Sequence, residues 1–143
     1  MLFIDNQTDT DLPTDLLNEM ATYQTDRDVE LLVVDDRAIQ TLNRTHREVD
    51  SATDVLSFPL EGDHPHQPLG TVVISADHAR AAAARFGHTV RDEIALLFLH
   101  GLLHLLGYDH ETDTGTMREK EQKIIGHFHL PESLIVRTEE AHG

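Results

Sequence analysis

The apolar positions fall into segments with two different spacings. Leu2 to Asn6 and Val29 to Val34 are short β-rich runs, the second broken only by Glu30, and each predicts a strand. Between them Pro13 is placed to open a helix, and Leu16, Leu17, Met20 and Tyr23 recur at helical spacing and should face inward. Asp36 can cap a second helix through about Asn43 with Ile39 and Leu42 inward. Val55 to Phe58 predicts a strand stopped by Pro59, Glu61 to Pro68 a loop, and Gly70 to Ser75 a further strand.

Ser75 can cap a third helix with Ala79, Ala82, Ala83 and Phe86 on one face, ended by Gly87. Thr89 and Asp92 then form a capping-box pattern opening a helix from about Val90 to Leu106. That helix is apolar nearly all round between Ile94 and Leu106, the pattern of a helix buried in a core. Gly107 ends it, Tyr108 and Asp109 make a turn, and a last helix from about Asp113 to Gly126 turns Met117, Ile124, Ile125 and Phe128 inward. About four strands and five helices, neither alternating strictly nor segregated, predict an α/β or α+β domain with helices packed on a small sheet.

A chain of 143 residues with 39% hydrophobic content fits a single domain spanning 1–143. No apolar run approaches the roughly 20 residues of a membrane span, and MLFIDNQTDTD lacks the basic start and apolar stretch of a secretory signal, so a cytoplasmic location is expected. The absence of cysteine excludes disulfides and thiolate metal sites; a transition metal would rest on carboxylates and the eleven histidines. The net charge of −15 excludes a broad basic face for nucleic acid. It is uneven, however: Met1 to Asp36 holds ten acids against one base, Asp92 to Gly143 ten against four, and the stretch between them six of each. A polyanion would be tolerated at that neutral middle, beside a metal dication.

His100 and His104 lie four apart, so on a helix both imidazoles leave one face and suit a single metal ion. Gly107 lets the chain reverse so that His110 can face them, and three neutral nitrogens leave one tetrahedral position open, the mark of a catalytic zinc. The same spacing occurs in metzincin peptidases, where a glutamate follows the first histidine as general base. Here that position is Gly101, which removes the group that moves the water's proton and leaves a metallopeptidase as the alternative.

With Arg47, Thr53-Asp-Val-Leu-Ser-Phe-Pro59 and His100-Gly-Leu-Leu-His-Leu-Leu-Gly-Tyr-Asp-His110 in view, the chain closely resembles the bacterial YbeY endoribonucleases. The resemblance implies an α+β fold with a mixed four-stranded sheet and a zincin-like metal helix. It implies one zinc ion per chain on His100, His104 and His110, with a functionally important arginine at Arg47. It further implies a single-strand-specific endoribonuclease acting in ribosomal RNA processing at the 3′ end of the small-subunit RNA and in ribosome quality control. A small-subunit ribosomal protein and an Era-like GTPase are the implied protein partners. Thr71 departs from the family, which more often has Asp after this glycine.

A guanidinium at Arg47 can bind two phosphate oxygens and stabilise charge during phosphodiester cleavage. Asn43, Arg44 and His46 make a polar and basic cluster around it, and Asp109 is placed to orient a metal ligand. His64, His66, His127 and His129 read as solvated, and Ser57 has no base beside it and is not read as a nucleophile. A third reading, from the acidic composition, is a non-catalytic ribosome-assembly factor with a structural metal.

Overall fold

In the computed structural model the described residues are 1–60, 67–109 and 115–130. The elements follow as β1 (Leu2–Asn6), α1 (Thr14–Gln24), β2 (Val29–Val34), α2 (Asp36–Arg47), β3 (Val55–Pro59), β4 (Gly70–Ser75), α3 (Ala76–Phe86), α4 (Val90–Leu105) and α5 (Thr116–Phe128). The four strands form one mixed sheet in the order β1-β2-β4-β3. β1, β2 and β4 run parallel, and β3 lies antiparallel to β4 with Ser57 opposite Val72. The fold is therefore α+β, with the expected four strands and five helices found among the described residues.

Alternation along the strands sorts the core into two layers. Val29, Leu31, Val33, Val72 and Ile74 point to one face and pack with Leu17, Met20, Met117, Ile124 and almost the whole of α4. Val34, Leu56 and Val73 point to the other face and pack with Ile39 of α2. α4 is thus the buried helix its composition demanded: Ile94, Ala95, Leu97, Phe98, Leu99, Leu102 and Leu103 are fully covered.

The caps explain most boundaries. Ser75 accepts from the His78 N–H and Thr89 from the Asp92 N–H, as expected of α3 and α4. For α2 the cap is Asp35, which accepts from the Ala38 N–H, and not Asp36. Asp36 is freed to accept instead from Ser75 Oγ and to pair with His78 Nδ1, while its N–H donates to Asp77, so the first turns of α2 and α3 are tied together. α2 also runs on past Asn43 to Arg47, stopped by Glu48 at a left-handed φ of 57°. Its last turn is polar and exposed, so no apolar period reports it.

Two residues expected to face inward do not. Leu16 is half-buried against the core, as expected, but Tyr23 is exposed and stacks on His127 at 4.5 Å, and Phe86 is exposed under the Arg85 guanidinium. Tyr23 and Phe86 sit in the last turns of their helices, beyond the edge of the layer they would cover. α5 begins at Thr116, behind Gly115 at a φ of 98°, and runs through Gly126 to Phe128; Asp113 lies outside the described residues. No helix among the described residues is long and apolar enough to cross a membrane.

Candidate metal centre

The end of α4 builds the site. Leu106 closes the helix, Gly107 takes a left-handed φ of 97°, its N–H donates to the His104 carbonyl, and the Tyr108 N–H donates to the Leu103 carbonyl. This reversal is a Schellman turn, and a glycine at Gly107 supplies the positive φ without a Cβ penalty. It carries the Tyr108 carbonyl back to accept from His104 Nδ1 at 2.9 Å. One turn earlier, His100 Nδ1 donates to Glu121 Oε2 of α5 at 3.0 Å. Glu121 is fully buried and His100 nearly so.

Both Nδ1 atoms face acceptors, and in the neutral tautomers that place the proton there both Nε2 atoms present lone pairs. Those two Nε2 atoms lie 3.2 Å apart. Lone pairs aimed at one another repel, whereas a cation between them turns the arrangement into a ligand pair. Two nitrogens held tetrahedrally on zinc at its usual bond length stand about 3.3 Å apart. Two imidazoles, each with its other nitrogen held by an acceptor, are a donor set that could hold a metal ion through Nε2. His110, the third expected ligand, lies outside the described residues.

Gly101 sits between the two histidines against the sheet. A Cβ there would stand 2.7 Å from Val72 Cγ1, 3.1 Å from Val55 Cγ2 and 3.2 Å from Ser57 Oγ. Ser57 Oγ donates to the Gly101 carbonyl at 2.9 Å. The serine is therefore a strut between β3 and α4, consistent with its not being read as a nucleophile. The metzincin glutamate is also more than missing: the sheet fills the space in which its side chain would begin.

The remaining predicted residues do not join the histidine pair. Arg47 is exposed at the end of α2, on the opposite layer of the sheet, and makes no ion pair among the described residues. His46, beside it, packs edge-on against Phe58 of β3 at 5.2 Å. Asn43 is buried and braces the loop into β3, its amide donating to the Ser51 carbonyl at 3.0 Å. Asp109 is exposed just past the Schellman turn, beside His110, which lies outside the described residues, while the Nδ1 atoms of His100 and His104 face Glu121 and Tyr108. Thr71 points away from α4 and donates to Glu30 at 3.1 Å. His127 stacks on Tyr23 and His129 is the exposed left-handed cap of α5, while His64 and His66 lie outside the described residues.

Sequence reasoning missed Glu121, although the signal was present: Met117, Glu121, Ile124 and Ile125 share one stripe of α5, so a carboxylate stands in an apolar face. It also missed Glu93, a fully buried acid in the first turn of α4 that meets His88 Nε2 at 2.7 Å.

Comparison with known proteins gives the same direction. The family model described as Endoribonuclease YbeY matches residues 4–129. A protein named Endoribonuclease YbeY from Nautilia profundicola is 56% identical over 98% of this chain and 100% of its own length. One of the same name from Wolinella succinogenes is 54% identical, covering 98% of this chain and 99% of its own. Among solved structures, the solution structure of TM1509 from Thermotoga maritima aligns with a TM-score of 0.62 at 27% identity, over 90% of this chain and 89% of that one.

Proposed function

This chain belongs to the YbeY endoribonuclease family, and from that premise we propose that it is a zinc-dependent endoribonuclease that cleaves single-stranded ribosomal RNA. The observation that carries the metal half of this reading is the facing of two Nε2 atoms across 3.2 Å, with both Nδ1 atoms set against acceptors elsewhere. The RNA half comes from the family. The cellular setting we propose is the cytoplasm, in maturation of the 3′ end of the small-subunit RNA and in ribosome quality control, with a small-subunit ribosomal protein and an Era-like GTPase as partners.

His100, His104 and His110 would hold one zinc ion. Bound there, zinc supplies Lewis acidity, making a nucleophile available at neutral pH and drawing charge from a phosphoryl oxygen. The protein's own part is to keep the imidazoles in one tautomer and to bind phosphate. Arg47 is the candidate for the second task, since its fork of donors fits two phosphate oxygens. The end of α2 and the end of α4 flank the same edge strand: His46 touches Phe58 of β3, and the preceding residue, Ser57, touches Gly101 of α4. An extended RNA crossing that edge would meet the histidines on one side and Arg47 on the other.

The test joins elemental analysis to RNA cleavage. We expect one zinc per chain and cleavage of unstructured RNA, both lost in His104→Ala. A His104→Ala protein with full metal content and full activity would refute the scheme. The cleaved ends identify the nucleophile: 2′,3′-cyclic phosphate means ribose attack, and a 5′-phosphate with a 3′-hydroxyl means water. Cleavage of unstructured protein instead of RNA would favour the peptidase, against which the packing at Gly101 stands. A pure protein that binds zinc and cleaves neither would be the assembly factor.

A further inference from the structure

We propose that Glu121 is a positioning residue that locks His100 into the Nδ1–H tautomer, and that cation binding at His100 and the seating of α5 are coupled through this contact. The inference rests on the metal reading above. An imidazole can ligate through Nε2 only while its proton sits on Nδ1, and the acceptor opposite Nδ1 decides how firmly it stays there. For His104 that acceptor is the Tyr108 carbonyl, supplied by the helix's own Schellman turn. For His100 it is a carboxylate from a different element, twenty-one residues further along the chain.

Burial makes the contact demanding. Glu121 is 1% exposed and stands in line with Met117, Ile124 and Ile125. A carboxylate brought into such surroundings needs hydrogen-bond donors aimed at it, and a ligating His100 holds its N–H in that direction permanently. The coupling is reciprocal: whatever fixes the His100 ring favours α5 in place, and α5 in place fixes the ring. The position of a charged group in the apolar stripe of α5 is explained by this role. A purely packing helix would carry leucine or alanine there.

The experiment measures zinc affinity by chelator competition for the full chain and for Glu121→Gln, Glu121→Ala and Glu119→Gln, the last being an exposed acid on the same helix. Loss of a supporting carboxylate of this kind costs about 10–100-fold in metal affinity. We expect that loss in Glu121→Ala, a smaller one in Glu121→Gln, and none in Glu119→Gln. In nitrogen-15 spectra of the zinc-loaded protein, the His100 Nδ1 proton should be sharp and slow to exchange, and broadened or lost in both Glu121 variants. Zinc loading should slow amide exchange along α5 in the parent protein and less so in Glu121→Gln. If Glu121→Ala fails to fold, the near-isosteric Glu121→Gln decides. A Glu121→Gln protein with parental melting temperature, parental zinc affinity and an unchanged Nδ1 proton would overturn the inference while leaving the metal reading intact. A parent protein that takes up no zinc would overturn both.

Discussion

Replacing Gly101 with alanine tests whether the absence of a side chain there is a packing requirement. The added Cβ would sit 2.7 Å from Val72 Cγ1. Val72 is fully covered on β4, which is flanked by β2 and β3, and its β-branched side chain has little rotamer freedom with which to yield. Overpacking a site of this kind costs about 1–3 kcal/mol. Alanine in place of glycine in a helix returns about 1 kcal/mol, so the net change is a loss of about 0–2 kcal/mol. Gly126 provides the internal reference, because a Cβ there meets nothing within 4 Å and α5 should gain the propensity term alone. The difference between Gly126→Ala and Gly101→Ala therefore isolates the steric cost. At about 3 °C per kcal/mol for a domain of this size, it should appear as a gap of about 3–9 °C in Tm by calorimetry. Equal melting temperatures, or a more stable Gly101→Ala, would show that α4 is not seated this closely and would remove the structural argument against a glutamate at that position.

Two further outcomes can be checked alongside. Arg47→Ala should lower RNA cleavage by about 100-fold, the scale set by one lost charge-stabilising donor, and leave Tm and zinc content at parental values because the side chain is exposed; unchanged kcat would remove Arg47 from the reaction. Asp77 accepts the Asp36 N–H and, more weakly in effect, the Arg80 guanidinium, which hold its carboxyl below the usual carboxylate range against the opposing effect of burial. A folded pKa below the unfolded one gives stability that is complete above about pH 4 and is lost as pH falls through the folded value. Asp77→Asn should accordingly melt lower than the parent at neutral pH, and the two melting curves should converge at acid pH; a constant gap would contradict this.

The fold was largely legible because its determinants are local. β2 and β4 announce themselves as β-rich runs, α4 as an unbroken apolar helix, and Ser75 and Thr89 as caps whose side chains do accept the expected N–H groups. What local pattern does not contain is the order β1-β2-β4-β3, which depends on which apolar faces meet. It also misjudges helix ends. The last turn of α2 has no apolar period to extend the prediction to Arg47, and the aromatic rings of Tyr23 and Phe86 look like core until the layer they would cover proves to end before them.

At the site, the spacing of His100 and His104 places two imidazoles on one face, but spacing does not say which nitrogen of each points at a ligand. That is decided by the partners of the other nitrogen, and the two partners differ in how they can be found. The Tyr108 carbonyl belongs to the backbone, and only the glycine at Gly107 hints that the chain returns there. Glu121 is different, since a charge inside the stripe of Met117, Ile124 and Ile125 conflicts with the helix's own amphipathic logic and so marks a place where burial must be matched by a hydrogen-bond donor. The same reasoning applied to Glu93, a fully buried acid at the start of α4, leads to His88. Charged residues standing in apolar stripes thus locate buried polar contacts from sequence alone. Which histidine each contact serves becomes readable only when the helices are packed.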